Sequence, residues 1–167
     1  RRLFEHSLED TLLAHAYVQG AAALRPTLVE NERRIDADFT ALAAADRQAG
    51  ATLQTTPRFQ ALRESWAELK AIPLDAQARV DRHTQFITDI RALINQVGDS
   101  AELVLDPQLD SYYLANSLLV QLPDWQDLLA QTTLLGEDMA TKGTPPAQDR
   151  TQLIALRGLI LADTTKA

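Results

Sequence analysis

The chain has 167 residues, with 16 basic against 23 acidic side chains and a formal charge of -7. A chain of that length suits one domain and buries roughly two-thirds of the surface its unfolded form exposes, while the acidic balance opposes the positive footprint of a nucleic-acid binder. Cysteine is absent, which removes disulfides, thiolate metal sites and sulfur redox chemistry.

Apolar residues recur at helical spacing almost throughout, and no segment alternates as a half-buried strand would, so the predicted fold class is all-α. The longest uncharged apolar-leaning run, 11–24, contains His15 and Gln19 and falls short of the roughly 18–20 residues that cross a bilayer. Pro26 interrupts the first segment, leaving residues 3–24 and 27–53 as two helices or one kinked helix, with the kink the more economical reading. In the second of these, Leu28, Ile35, Phe39, Leu42, Ala49 and Leu53 form a three-four stripe, with Asp46 in one of its places. Thr55-Thr56-Pro57 reads as a turn and a new start, with Thr56 as N-cap and Pro57 at the first helical position.

Phe59, Leu62, Trp66, Leu69 and Ile72 then lead up to Pro73. Val80, His83, Ile87, Ile90, Ile94 and Val97 repeat with the spacing of a helix-packing seam. Gly98 suits the position after a helix end, and Asp99 with Glu102 imitates a capping box. Asp106-Pro107 repeats the start signal, opening a helix whose buried face would be Leu114, Ala115, Leu118, Leu119 and Leu122. Pro123 either kinks this helix or starts the next, which carries Trp125, Leu128, Leu129, Thr132 and Leu135. After the loop signal Lys142-Gly143-Thr144-Pro145-Pro146, Leu153, Leu156 and Ile160 begin a last helix. The expected architecture is an antiparallel bundle of the four-helix type, one domain over residues 1–167, with its long helices broken at prolines.

The segment Val97-Gly98-Asp99-Ser100-Ala101-Glu102-Leu103-Val104-Leu105-Asp106-Pro107-Gln108-Leu109-Asp110-Ser111-Tyr112-Tyr113-Leu114 is too specific for generic bundle sequence. It resembles the stretch V-G-D-x-S-x-L-I-L-D-P-x-L-D-S-Y-Y-L of helical sensor regions in bacterial methyl-accepting chemotaxis proteins and sensor histidine kinases. The likeness extends to Ile35-Asp36-Ala37-Asp38-Phe39-Thr40-Ala41-Leu42 with Asp46, to Arg82-His83-Thr84 and to Leu122-Pro123. The sequence departs from that pattern at His15-Ala16-Tyr17-Val18, where relatives often carry an H-R-G-like element. The resemblance implies a periplasmic, ligand-sensing portion of an inner-membrane receptor that works as a homodimer and passes a signal inward. The start at Arg1-Arg2-Leu3, with Met139 the only methionine, fits an excised piece of such a receptor, touching the membrane only through helices beyond the fragment.

Candidate chemistry is sparse. Asp106 and Asp110 lie one turn apart, but a cap and a first-turn acid account for both, and the spacing matches no calcium loop. Tyr112 and Tyr113 point about 100° apart on a helix, so they cannot fill the same core layer; with Asn116 one turn on, they are candidates for lining a small-molecule pocket. His83 sits in an aliphatic seam and needs a polar partner, either within the core or as a further candidate for the ligand pocket; a hairpin about position 55 places it near Arg25, a candidate anion partner. The same arithmetic pairs Asp46 with Arg63 and Trp66. His6 and His15 do not have the spacing of a helical metal motif, and no nucleophile elbow or phosphate loop occurs. The expected function is ligand sensing without catalysis, metal or cofactor, with the ligand an unidentified small molecule. An interaction or dimerisation scaffold without a small ligand is the alternative.

Overall fold

The computed structural model describes residues 1–100, 117, 121–142 and 146–164. The described residues form six α-helices and one 3-10 turn, with no strand, so the all-α class and the helical bundle hold. The chain divides into two compact units, residues 1–123 and 124–167.

In the first unit, α1 (Arg2–Val18) and α2 (Arg25–Ala49) are separate helices joined through a 3-10 turn at Ala22–Leu24. The expected kink at Pro26 is therefore not what the chain does. The break comes earlier, at Gly20, whose φ of 106° is open to glycine without a steric penalty. Its amide donates to the Tyr17 carbonyl at 3.0 Å and that of Ala21 to Ala16 at 3.0 Å, the paired bonds of a Schellman stop. Pro26 then falls in the first turn of α2, where a missing N–H costs nothing.

A tight turn with Gln54 at φ 55° leads to α3 (Thr56–Ala71). The cap residue is Thr55 rather than Thr56, and its hydroxyl turns back to Asp46 Oδ1 at 3.1 Å instead of capping the helix. Helix α4 (Gln77–Ser100) runs through Gly98. The expected stop at Gly98 fails because one glycine weakens a helix by only about 1 kcal/mol, and Gly98 is buried; Asp99 of the proposed capping box is itself inside α4, and Glu102 lies outside the described residues.

The four helices run antiparallel in sequence. His6 meets Asp38 and Asp10 meets Asn31 between α1 and α2. Between α3 and α4, Arg58 meets Gln96 and Glu68 meets Arg82. Leu28, Ile35 and Phe39 of the first stripe are buried, as are Phe59, Leu62, Trp66 and Leu69 of the second. The α4 seam is rotated from its expected position: Arg79, His83, Phe86, Ile87, Ile90 and Leu93 are buried, whereas Val80, Ile94 and Val97 are half-buried. The rotation follows from what α4 must bury, a ring at Phe86 on one side and the charged cluster at Arg79 and His83.

The second unit holds α6 (Ala147–Thr164) and all of α5 (Leu122–Lys142) from Asp124 onward. Pro123 lies in the first turn of α5; the residues just before Gln121 lie outside the described residues. Leu122, expected on a buried face, is 42% exposed, and Leu129, Ile154, Leu159 and Leu161 are exposed as well. Of the described side chains here, Ala130 and Leu156 are the buried apolar ones. No described helix is long and apolar enough to cross a membrane.

Candidate functional site

Two features of the first unit carry polar chemistry. The first is a buried cluster at the junction of α1, α2 and α4. Asp10, Asn31, Arg79 and His83 are each at most 1% exposed, an unusual depth for ionisable groups. Asp10 Oδ2 lies 2.9 Å from His83 Nε2 and 3.6 Å from Arg79 Nη2, and its Oδ1 accepts from Asn31 Nδ2 at 3.2 Å. Arg79 also donates to Glu32 and to the carbonyls of Leu69 and Ile72, tying the α3–α4 connection to the cluster. Asn31 Nδ2 donates to the His6 carbonyl at 2.8 Å.

The ring of His83 faces two acceptors. Nδ1 lies 2.8 Å from the Arg79 carbonyl and therefore carries a hydrogen. Nε2 lies 2.9 Å from Asp10 Oδ2. Two acids, Asp10 and Glu32, stand beside the buried Arg79 guanidinium, the pairing that makes burial of its charge tolerable. Arg79 Nε and Asn31 Oδ1 are left without a protein partner.

The second feature is a surface groove of about 470 Å³ between α2 and α3. Its floor is Phe39, Ala43, Trp66 and Ala67, and its ends carry charge. At one end Asp36 accepts from Trp66 Nε1 at 2.7 Å and from Lys70 Nζ at 2.8 and 3.0 Å, with Lys70 also 5.5 Å above the Trp66 ring. At the other end stand Arg47 and Arg63. Arg63 lies 5.8 Å over the Phe59 ring, and Arg47 sits in the last turn of α2, where a positive charge suits the helix dipole.

The sequence-derived residues fall differently. His83 is a satisfied core histidine, and its partner is Asp10 from α1 rather than Arg25. Arg25 is the exposed first residue of α2, and no hydrogen bond or ion pair joins it to His83. Tyr112, Tyr113 and Asn116, with Asp106 and Asp110, lie outside the described residues. Asp46 does not pair with Arg63 or Trp66: it accepts from Thr55, and Trp66 bonds Asp36 instead. The hairpin turns before position 55, so residues of α2 nearer its start come level with Trp66.

Sequence reasoning missed Asp10 and Arg79 altogether, and the only available signal was that a core histidine demands a partner. It also missed the groove, although Asp36, Phe39 and Thr40 belong to one of the stretches that carry the sensor resemblance. Among the described residues no group of three or more histidine or acidic side chains is placed to hold a metal. No protein-family model, no curated protein and no solved structure matches this chain.

Proposed function

We propose that this chain is a ligand-sensing domain from the periplasmic side of a bacterial inner-membrane receptor, either a chemoreceptor or a sensor histidine kinase, acting as a homodimer. The observation that carries the reading is the resemblance of residues 97–114, which begins in the last turn of α4. The all-α bundle is the architecture such a domain requires. The ligand-sized groove adds support, since it is lined by Asp36, Phe39 and Thr40 from a second stretch of the same resemblance.

No catalysis is invoked. A ligand that prefers one packing of α2 on α3 shifts the population of bundle conformers by its differential affinity for them, and small helix displacements are an established way to carry such a shift along a bundle. The test is topology. The full reading frame is expressed in bacteria, and protease is added to spheroplasts with an intact inner membrane. Cleavage within residues 1–167, with a cytoplasmic control protected, is the expected result; protection of this region with a cleaved outer control overturns the reading.

An interaction scaffold is the second reading, favoured by the exposed Leu129, Ile154, Leu159 and Leu161 of the second unit. It predicts a melting temperature that rises with protein concentration and loses that dependence when Ile154 and Leu159 are changed to serine.

A further inference from the structure

We propose that the α2–α3 groove is a binding site for a small monocarboxylate with a flat apolar body, its carboxylate held between Arg47 and Arg63. This deepens the sensing reading and rests on it for its biological meaning, but the binding chemistry is set by the groove itself. The volume of about 470 Å³ lies within the range of small-molecule sites, roughly 300–1,000 Å³.

The polarity of the groove decides which way a ligand lies. At the Asp36 end every charge is matched, because the carboxylate takes both the Trp66 indole N–H and the Lys70 ammonium. At the opposite end Arg47 and Arg63 line the groove, and no ion pair joins either of them to a carboxylate among the described residues. Arg63 has an aromatic ring under it and Arg47 a helix end, and neither contact neutralises a charge. On a chain of net charge -7, two uncompensated cations at one end of a concave site are a local reversal of the overall sign. Arginine presents paired N–H groups in the plane that a carboxylate accepts, so a bound anion satisfies both side chains at once.

Between these ends the floor is apolar and low. Ala43 and Ala67 carry only methyl groups where larger side chains would fill the space between the helices. Phe39 and Trp66 lie beside them with ring planes 21° apart and centroids 6.5 Å apart. A flat ring resting on this floor keeps its carboxylate at the arginine end and meets no unmatched charge at the other.

The test uses purified residues 1–167 carrying Trp125→Phe, so that Trp66 is the only indole, with benzoate as probe. Benzamide supplies the same body without charge, and acetate the same charge without the body. Saturable change in Trp66 fluorescence with benzoate is expected, with benzamide and acetate each at least tenfold weaker. Tenfold is the loss expected for about 1.4 kcal/mol of charge-assisted bonding. Changing both Arg47 and Arg63 to glutamine weakens benzoate at least tenfold, and both are exposed, so the fold is preserved. Ala67→Leu fills the floor and abolishes binding by a route independent of charge, which decides the matter should the double variant fail to fold. No saturable response to benzoate, or a response unchanged by these variants, overturns the site. The spheroplast experiment is independent of this one: absent binding in a domain exposed on the outer side removes only the groove proposal, and binding in a domain protected on the inside removes only the sensing reading.

Discussion

The interior of the first unit is built in two ways along the same helix. At the start of α4, Arg79 and His83 enter a cluster of buried charges and hydrogen bonds. A turn later Phe86 enters a group of rings, with Trp66 at 5.4 Å and Phe39 at 6.4 Å between centroids. The aromatic group is held by apolar burial and by ring contacts worth about 0.5–1.5 kcal/mol per pair beyond that burial; it accepts any residue of similar volume. The charged group costs desolvation on every member, and its attraction returns that cost only if all partners are in place. One region supplies stability with little selectivity, and the other selects a single alignment of α1, α2 and α4.

Several substitutions break or sharpen this contrast. Asp10→Ala leaves Arg79 and His83 facing each other without their shared acid, and a loss of about 3–5 kcal/mol is expected in denaturant unfolding. Replacing the group together, as Asp10→Leu with Arg79→Met and His83→Leu, is expected to recover that loss or exceed the parent stability, since Glu32 stands at the edge with 18% of its side chain exposed. A triple variant less stable than Asp10→Ala alone would mean that the charges contribute net stability, and the contrast with the rings would disappear. Phe86→Ala, in the other region, is expected to cost about 3–5 kcal/mol. Phe86→Leu is expected to cost under about 1.5 kcal/mol, measured by the same unfolding midpoints.

A smaller effect belongs to the α2–α3 turn. A Cβ on Gly50 would meet the Asp46 carboxylate and backbone and lie 2.5 Å from Thr56 Oγ1. Gly50→Ala is therefore expected to destabilise by about 1–3 kcal/mol, seen as a lower melting temperature. Last comes Arg82→Ala, which removes an exposed 2.8 Å pair with Glu68 and should cost less than about 1 kcal/mol.

Helix positions were readable because their signals are local. The stripes through Leu28, Ile35 and Phe39, and through Phe59, Leu62, Trp66 and Leu69, are periodic and buried. Two boundaries were misread for the same reason, that two local signals competed. Gly20 with its two capping amides outweighed Pro26 as the end of α1, and Gly98 was absorbed into α4. The α4 face came out rotated because its seam was read from Val80, His83 and the aliphatic residues that follow, whereas the long Arg79 side chain reaches three acceptors inside: Glu32, Leu69 O and Ile72 O.

By itself the sequence determined an all-α chain, most of its helix boundaries, and the need of His83 for a polar partner. Each of these follows from residues within a turn or two of one another, where spacing, proline and glycine act directly on the backbone. Only the tertiary structure decided that the partner is Asp10, that Arg79 is buried beside it, and that Arg47 and Arg63 stand at one end of a groove opposite Asp36 and Lys70. Those pairings depend on the register at which separate helices pack, a sum of many weak contacts across the bundle that no local pattern encodes.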